Sequence, residues 1–306
     1  MACVITAVTV HAHAKVNLFL DVVGLRDDGY HELSTVFQSV SLHDTVTVAV
    51  SDEMELTVDG VGIDVAGVPT DASNLAWQAA QLVLGDQPVA IHIEKVLPTA
   101  GGMAGGSADA AAVLVGANRL RRDPLTVDQV DELALQLGSD VPFVLHGGTM
   151  LATGRGEKLS NLHSHGTYFW VFATAPEGLS TPEVFRTYDA LTVGTRVHTV
   201  GSVHSALAVI DALPTGDPEQ LAAALYNDLE QAAVHLRPEL RELIDVGVGA
   251  GALTGIVSGS GPTVAFLCVD EPMQEHVAHA VTASHMAAAA FPATSADFGA
   301  HIVGEH

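Results

Sequence analysis

Positive charge is scarce in this chain of 306 residues, which carries 12 lysines and arginines against 36 aspartates and glutamates, for a formal net charge of −24. So acidic a chain repels nucleic acid and anionic membranes, and we expect neither as a partner. It also repels small polyphosphates, so a site for one has to gather the few cations locally. The three lysines are Lys15, Lys95 and Lys158.

Cysteines and long apolar runs are lacking as well. Cys3 and Cys268 are too few for a disulfide framework, so we expect two reduced thiols. The first residues lack the basic start and apolar run of a signal peptide, and no uninterrupted apolar segment reaches the length of a membrane span. With 48% hydrophobic and 16% charged residues, the sequence predicts a compact cytoplasmic protein, long enough for two lobes.

Two common nucleotide signatures and the zinc motifs are absent too. No Gly-Lys-Ser/Thr follows a glycine-rich loop, and the glycines do not fit G-x-G-x-x-G. The sixteen histidines include the pairs His11/His13 and His276/His279, but none has zinc-ligand spacing. We therefore expect surface or half-buried histidines and assign no metal ligand.

A glycine-rich loop is the most informative segment that is present. It joins a predicted strand at 89–94 to a predicted helix at 107–120, and four of the residues from 101 to 106 are glycine. Glycines let a backbone approach a ligand closely, and a helix start offers free N–H groups to an anion. The pattern predicts a nucleoside triphosphate site; the alternative is a ligand-free linker, which is typically richer in serine and polar residues. The loop residues are Pro98, Ala100, Gly101, Gly102, Met103, Ala104, Gly105, Gly106, Ser107 and Ala108.

The remaining elements predict an α+β fold, because strands and helices mix without regular β-α-β alternation. Alternating apolar and polar positions predict five antiparallel strands before residue 60, with breaks near 11–14 and 41–43. Helices are expected at 77–84, capped by Ser73 or Asn74, at 127–137 and at 271–285. A second glycine-rich stretch at 147–156 divides the chain into predicted lobes of residues 1–155 and 156–306.

Lys15 and Asn17 share one face of a predicted strand, opposite Val16 and Leu18. A lysine in so apolar a strand needs a polar partner or the mouth of a pocket. The alternative is a lysine at a sheet edge whose amine reaches water.

Asp140 lies between Gly138 and Pro142, where an aspartate often caps a short helix. A carboxylate at this place can also accept a proton from a hydroxyl during phosphoryl transfer. Both roles stay open.

Two turns complete the candidates. The first turn consists of Ser258, Gly259, Ser260 and Gly261. It is either an ordinary hairpin or a nest of backbone amides for a phosphate. The second turn contains Tyr30 and His31, which offer a ring face and a hydrogen-bonding ring edge suited to a flat base, although this sequence is also typical of an exposed turn.

Taken together, in this order and over about residues 11–267, these segments resemble the GHMP kinase family of small-molecule kinases. The resemblance implies an ATP-binding lobe at 1–155, a substrate lobe at 156–306 and an active site in the cleft between them. It also implies ATP and Mg²⁺ as cofactors, with the metal on the ATP phosphates, and a monomer or weak homodimer.

Within the family, the Asp-Gly-Tyr-His-Glu turn at 28–32 is typical of the branch that phosphorylates the 2-hydroxyl of a cytidine diphosphate-linked methylerythritol. A mevalonate or homoserine kinase is one alternative, which the Tyr30–His31 pair disfavours. A nucleotide-binding regulator without activity is another, which the presence of both Lys15 and Asp140 disfavours.

The resemblance also implies a role for each residue. Asp140 is the expected general base and Lys15 stabilises the moving phosphoryl group. Substrate binding is expected from Asn17, Tyr30, His31, Thr181 and Phe185, with the cytosine between the Tyr30 and Phe185 rings and His31 at its edge. The glycine loop holds the ATP phosphates and the 258–261 turn closes the site. Ala100, Ala104 and Ala108 stand where relatives often have glycine or serine, so we expect weaker side-chain contacts to ATP.

Overall fold

The computed structural model describes residues 5–98, 101–192 and 205–306, which form two sheets and the helices around them. Cys3 and Ala100 lie outside the described residues. The eight strands of the larger sheet are β1 (Ala7–Leu25), β2 (His31–Val50), β3 (Glu55–Gly60), β4 (Val89–Lys95), β5 (Thr149–Gly154), β6 (Lys158–Asn161), β8 (Tyr226–Asn227) and β12 (His301–Glu305). Their order is β12-β1-β2-β4-β3, with β8 on β1, β5 on β2 and β6 on β5.

The smaller sheet has the order β11-β7-β10-β9, formed by β7 (Phe169–Thr174), β9 (Thr254–Val257), β10 (Val264–Cys268) and β11 (Ala289–Thr294). The helices are α1 (Leu75–Leu84), α2 (Gly105–Leu120), α3 (Val127–Leu137), α4 (Val141–His146), α5 (Thr181–Thr192), α6 (Ala206–Ala212), α7 (Pro218–Ala224), α8 (Glu230–Leu236), α9 (Glu239–Gly249) and α10 (Glu271–Ala283), with a short 3-10 helix at Leu213–Thr215. The predicted α+β class is confirmed.

The predicted breaks within the first two strands are wrong. β1 runs for 19 residues and β2 for 20. The register between them shifts instead, between His13 and Lys15 and again between Asn17 and Phe19. Such bulges bend a strand and redirect its side chains without ending the ladder. They place Lys15 and Asn17 on a stretch that lines the large cavity described below.

Small residues let α2 pack directly on the larger sheet. A Cβ atom at Gly116 would lie 3.0 Å from a methyl group of Val48, which is fully buried, as is Val10 of β1. The helix is therefore held against β1 and β2, and its first turn is seated beside the cavity.

The other helix predictions differ in detail. Asn74 is the residue that caps α1, through a 2.9 Å bond from the Ala76 N–H. The predicted 127–137 helix is confirmed, whereas the 271–285 helix ends two residues early, at Ala283. The sequence assigned no helix to 181–191, yet α5 forms there with Pro182 in its first turn, where a missing N–H costs no helical hydrogen bond.

Strands from the second half of the chain complete the larger sheet. β6 pairs with β5, while β8 and β12 pair with β1. These three strands follow the predicted boundary at 155/156 in the sequence but belong to the same sheet as β1. The boundary between lobes therefore stays a prediction.

None of the described helices is both long and apolar enough to cross a membrane. Within the described ranges, no group of three or more His, Cys, Asp and Glu side chains could hold a metal ion. His276 and His279 are exposed as expected, but His13 is buried and its Nδ1 lies 2.9 Å from the Val40 carbonyl. The surface expectation is thus wrong for His13, and burial lowers its pKa to about 4.

Candidate active site

A cavity of about 740 Å³ brings most of the predicted site residues together. Its lining comes from β1, β2, the glycine loop, the start of α4, α5 and the 259–260 turn. The predicted residues that line it are Lys15, Asn17, Tyr30, His31, Gly101, Gly102, Ala104, Gly105, Gly106, Ser107, Asp140, Thr181, Phe185, Gly259 and Ser260. Pro98, Met103, Ala108, Ser258 and Gly261 are not part of this lining.

The glycine loop passes into α2 without a side-chain cap. The helix begins at Gly105, two residues earlier than predicted, and Ala104 before it takes a left-handed backbone with φ 63°. Because no side chain bonds to the first turn, its N–H groups stay available to an anion. The arrangement fits the phosphate site that the sequence predicts.

A buried ion cluster that the sequence reasoning missed lies beneath this loop. Lys95 Nζ lies 2.7 Å from carboxylate oxygens of both Asp44 and Asp109, and 3.4 Å from the Gly105 carbonyl. Asp44 also accepts the N–H groups of Val96 and Leu97. The cluster ties β2, the end of β4 and the first turns of α2 together.

The charges in this cluster do not balance. Burial raises the pKa of the Asp109 carboxyl to about 7, because the Lys95 ammonium offsets the cost of burial only in part and the Asp44 carboxylate adds to it. One Asp109 oxygen, Oδ1, is buried without a hydrogen bond to any described residue. The shared lysine therefore serves two carboxylates that compete for it.

Lys15 is the buried cation of the cavity, with 4% of its surface exposed. Its Nζ donates to Asn17 Oδ1 at 2.7 Å and to the Gly102 carbonyl at 2.8 Å, and lies 5.4 Å from the centre of the Phe37 ring. Burial lowers the Lys15 pKa, and the nearby Asp140 carboxylate raises it in part. The lysine at a sheet edge, the alternative left open by the sequence, is wrong.

Asn17 has protein partners at both ends of its amide. Besides accepting from Lys15, it donates to Thr35 Oγ1 at 2.9 Å, and Thr35 in turn donates to the Phe19 carbonyl at 2.6 Å. Asn17 thus orients Lys15, a role that the sequence did not indicate. Its predicted contact with substrate stays a prediction.

Asp140 occupies the position before α4, but its side chain does not cap that helix. Its backbone is already near-helical, with φ −85° and ψ −17°, so the carboxylate is not aimed back at the first N–H groups. It lines the cavity and makes no hydrogen bond or ion pair with the described residues. Its charge is therefore available to a ligand.

The 258–261 turn packs against the glycine loop and against Lys15. Ser258 Oγ lies 3.3 Å from the Gly102 carbonyl. A Cβ atom at Gly102 would lie 2.3 Å from the Ser258 carbonyl, and one at Gly259 would lie 3.3 Å from Lys15 Nζ. Both positions also have positive φ, which favours glycine, and the 2.3 Å approach to backbone leaves no room for a side chain at Gly102.

Asn227, which the sequence reasoning missed, holds this turn in place. Its Nδ2 donates to the carbonyls of Val257 and Gly259 at 2.7 Å each, and its Oδ1 accepts from Leu229 N–H at 2.9 Å. Glu230 accepts the Val257 N–H at 3.0 Å. No sequence signal distinguishes this asparagine, because the two carbonyls that it binds in the turn lie 30 and 32 residues away.

The aromatic end of the cavity differs from the predicted stack. The His31 ring lies on the Phe185 ring, with centroids 4.7 Å apart and an angle of 18° between the planes. Tyr30 is 58% exposed, and the Arg155 guanidinium lies 4.9 Å from its ring centre. Thr181 and Ser260 share a 2.9 Å hydrogen bond. A cytosine between Tyr30 and Phe185 stays a prediction.

Two cations in the cavity lining, Arg155 and Arg186, were also missed. In the sequence they belong to a glycine-rich stretch and to an unassigned segment, so nothing placed them near Lys15. With Lys15 they give the lining three basic side chains against the two acidic ones of Asp140 and Asp189, whereas acidic residues outnumber basic ones three to one in the whole chain. A local excess of basic residues is what a polyphosphate site requires.

The fold and site agree with the family comparisons. The model of the GHMP kinases N terminal domain matches residues 74–148, and the model of the GHMP kinases C terminal domain matches residues 209–288. The protein is therefore a GHMP kinase, an ATP-dependent small-molecule kinase.

The relatives narrow this class. The chain is 54% identical over 267 residues to a 4-diphosphocytidyl-2-C-methyl-D-erythritol kinase of Rhodococcus jostii (strain RHA1), covering 86% of this chain and 84% of that one. It is 48% identical to the protein of the same name from Mycolicibacterium smegmatis (strain ATCC 700084 / mc(2)155), covering 97% and 92%. A crystal structure of 4-(cytidine 5'-diphospho)-2C-methyl-D-erythritol kinase superposes with a TM-score of 0.76 at 32% identity, covering 94% and 98%. The chain belongs to the 4-diphosphocytidyl-2-C-methyl-D-erythritol kinase family.

Proposed function

We propose that this protein transfers the γ-phosphoryl group of ATP to the 2-hydroxyl of 4-diphosphocytidyl-2-C-methyl-D-erythritol in the non-mevalonate route to isoprenoid precursors. One observation carries the proposal more than any other. The unbonded Asp140 carboxylate lines the same cavity as the uncapped start of α2 and the His31–Phe185 pair. A base, a phosphate site and a site for a flat ring are what this reaction needs.

The ATP phosphates would bind the loop from Gly101 to Ser107. Uncapped N–H groups and the positive end of the α2 dipole favour negative charge there. Met103 and Ala108 are fully buried and, with Pro98, would help to fix the loop, while the 258–261 turn would limit the access of water to the transferred group.

Mg²⁺ is proposed to bind through the ATP phosphates, because the described residues hold no carboxylate and histidine cluster for it. This fits the chemistry of the ion, which usually keeps several waters and takes few protein ligands. Bound there, it would neutralise charge on the phosphates.

The chemical step assigned to the chain is a proton transfer coupled to phosphoryl transfer. Asp140 accepts the proton of the substrate 2-hydroxyl while the oxygen of that hydroxyl forms a bond to the γ-phosphorus of ATP. The bond between the γ-phosphorus and the bridging oxygen breaks at the same time, which releases ADP. Lys15, held by Asn17 and the Gly102 carbonyl, lowers the energy of the negative charge on the moving group. Asp140 later returns the proton to water.

The cytidine diphosphate end of the substrate would lie at the aromatic end of the cavity. Tyr30 and Phe185 offer ring faces, and stacking of a base on an aromatic side chain contributes about 1–3 kcal/mol. Arg155 and Arg186 also line the cavity, and their guanidinium groups can each bind two phosphate oxygens of the diphosphate. Thr181 lines the same cavity and is hydrogen-bonded to Ser260. We further propose that the enzyme works in the cytoplasm as a monomer or weak homodimer, with no nucleic-acid partner.

A substrate comparison tests the proposal against the nearest alternatives. Purified protein with ATP and Mg²⁺ is given, in separate reactions, the cytidine diphosphate-linked alcohol, mevalonate or homoserine, and ADP release is measured. Rapid release with the first substrate alone supports the proposal. Faster release with mevalonate or homoserine overturns the substrate assignment, and ATP binding without release from any alcohol favours the nucleotide-binding regulator.

A further inference from the structure

His31 has a fixed hydrogen-bond partner outside the turn that carries it. Its Nε2 lies 2.8 Å from Asp189 Oδ1, near the end of α5. An ionised carboxylate has no proton to give and only accepts. The proton of the neutral imidazole therefore lies on Nε2, and Nδ1 carries a lone pair.

Packing restricts the orientation of the His31 ring further. The ring stacks on the Phe185 ring, and the His31 side chain is 11% exposed. Nδ1 makes no hydrogen bond to the residues that the structure describes, although His31 lines the cavity. The neutral ring thus leaves one acceptor without a protein partner at the aromatic end of the site.

We propose that Asp189 is a specificity-determining positioning residue, which holds His31 in the tautomer whose Nδ1 accepts a hydrogen bond from the N4 amine of a cytosine. The inference rests on the proposed function and adds the reason why the base would be read as cytosine. Asp189 does not touch the base in this account; it acts through His31.

The chemistry of the two pyrimidines makes the tautomer decisive. The N4 amine is the donor on the exposed edge of cytosine, where uracil has an acceptor oxygen. A lone pair at Nδ1 attracts the N4 amine of cytosine and repels the acceptor oxygen of uracil. The opposite tautomer, with a proton on Nδ1, would favour uracil, and the Asp189 carboxylate disfavours that tautomer because Nε2 would then face it without a proton.

The test compares Asp189→Asn with the parent enzyme on cytidine and uridine diphosphate-linked methylerythritol. An asparagine amide can donate to Nε2 as well as accept from it, so both tautomers become accessible. We expect the cytidine-to-uridine ratio of kcat/KM to fall by about 10- to 100-fold, with most of the change on the uridine side. Glu183→Gln is the matched control, because it removes one charge from an exposed position of the same helix and should leave the ratio unchanged.

A second measurement on the parent enzyme does not depend on any variant. The nitrogen-15 shifts of His31, assigned by comparison with His31→Gln, should show a protonated Nε2 and an unprotonated Nδ1 in the neutral ring. A protonated Nδ1 overturns the proposal, as does a cytidine-to-uridine ratio that Asp189→Asn leaves unchanged. If the parent enzyme phosphorylates neither compound, the proposed function fails, whereas the tautomer is still decided by the nitrogen shifts.

Discussion

The side-chain amine of Lys15 is bonded to the glycine loop itself, since its Nζ lies 2.8 Å from the Gly102 carbonyl. The cation that would stabilise the transferred phosphoryl group is thus fixed to the backbone that would hold the ATP phosphates. Asn17 fixes it from the other side at 2.7 Å. Movement of the loop would therefore displace the cation as well, and we expect catalysis to depend on the residues that hold this contact.

Replacing Asp140 by Asn should lower kcat by about 10²–10⁴-fold, the usual range for loss of a general base. ATP affinity, measured by titration calorimetry, should stay close to that of the parent, because the loop and α2 are unchanged. Asp128→Asn, at an exposed position of α3, is the control for loss of an acidic charge. Near-normal turnover of the Asp140 variant would remove this residue from the role of base.

Replacing Asn227 by Ala should lower both stability and kcat. Two carbonyls lose their donor, which costs about 2–4 kcal/mol for buried groups, and the turn beside Lys15 is no longer held. Asn118→Ala is a matched control, because Asn118 makes comparable bonds to Leu125, at 3.2 and 2.7 Å, away from the cavity. Urea unfolding and steady-state kinetics should show a stability loss in both variants but a fall in kcat for Asn227→Ala alone.

The Asp109 carboxyl predicts a particular dependence of stability on pH. Its folded-state pKa is raised from 3.8 to about 7, so the folded chain binds this proton more tightly than the unfolded chain. This group therefore makes the free energy of unfolding fall as pH rises from about 4 to 7, and adds nothing further above that range. Asp109→Asn should flatten this part of the stability curve, and parallel curves for parent and variant would contradict the account.

Ala104→Gly should stabilise the fold by about 0.5–1 kcal/mol. Alanine at φ 63° bears the cost of a left-handed backbone, which glycine does not, while the greater freedom of glycine in the unfolded chain offsets part of the gain. Ala223→Gly, at an exposed position of α7, should destabilise instead, because glycine is unfavourable inside a helix. The urea concentration at the midpoint of unfolding should therefore rise for Ala104→Gly and fall for Ala223→Gly.

Local patterns in the sequence predict much of the candidate site. The period of two along β1 places Lys15 and Asn17 together, and the glycine spacing predicts the loop that opens α2. The cluster of Lys95 with Asp44 and Asp109 could not be predicted in this way, because its members come from three elements that only the fold brings together. The same is true of Asn227 and Asp189.

The continuity of β1 and β2 escaped prediction for a different reason. The breaks predicted near 11–14 and 41–43 fall at His11, His13 and His43, yet their rings pack on one another across the strands, with centroids 4.1 Å apart for His11 and His43 and 5.2 Å apart for His13 and His43. Cross-strand packing, which a single segment does not reveal, continues the ladder where local composition indicates a break.

The most direct test of the account is the structure of the reaction product. The protein is incubated with ATP, Mg²⁺ and 4-diphosphocytidyl-2-C-methyl-D-erythritol, and the product is analysed by mass spectrometry and by phosphorus and carbon NMR. We expect the gain of one phosphoryl group, with phosphorus coupling to the methyl-bearing carbon at position 2. A phosphoryl group on another oxygen, or unchanged substrate in the presence of bound ATP, would contradict it.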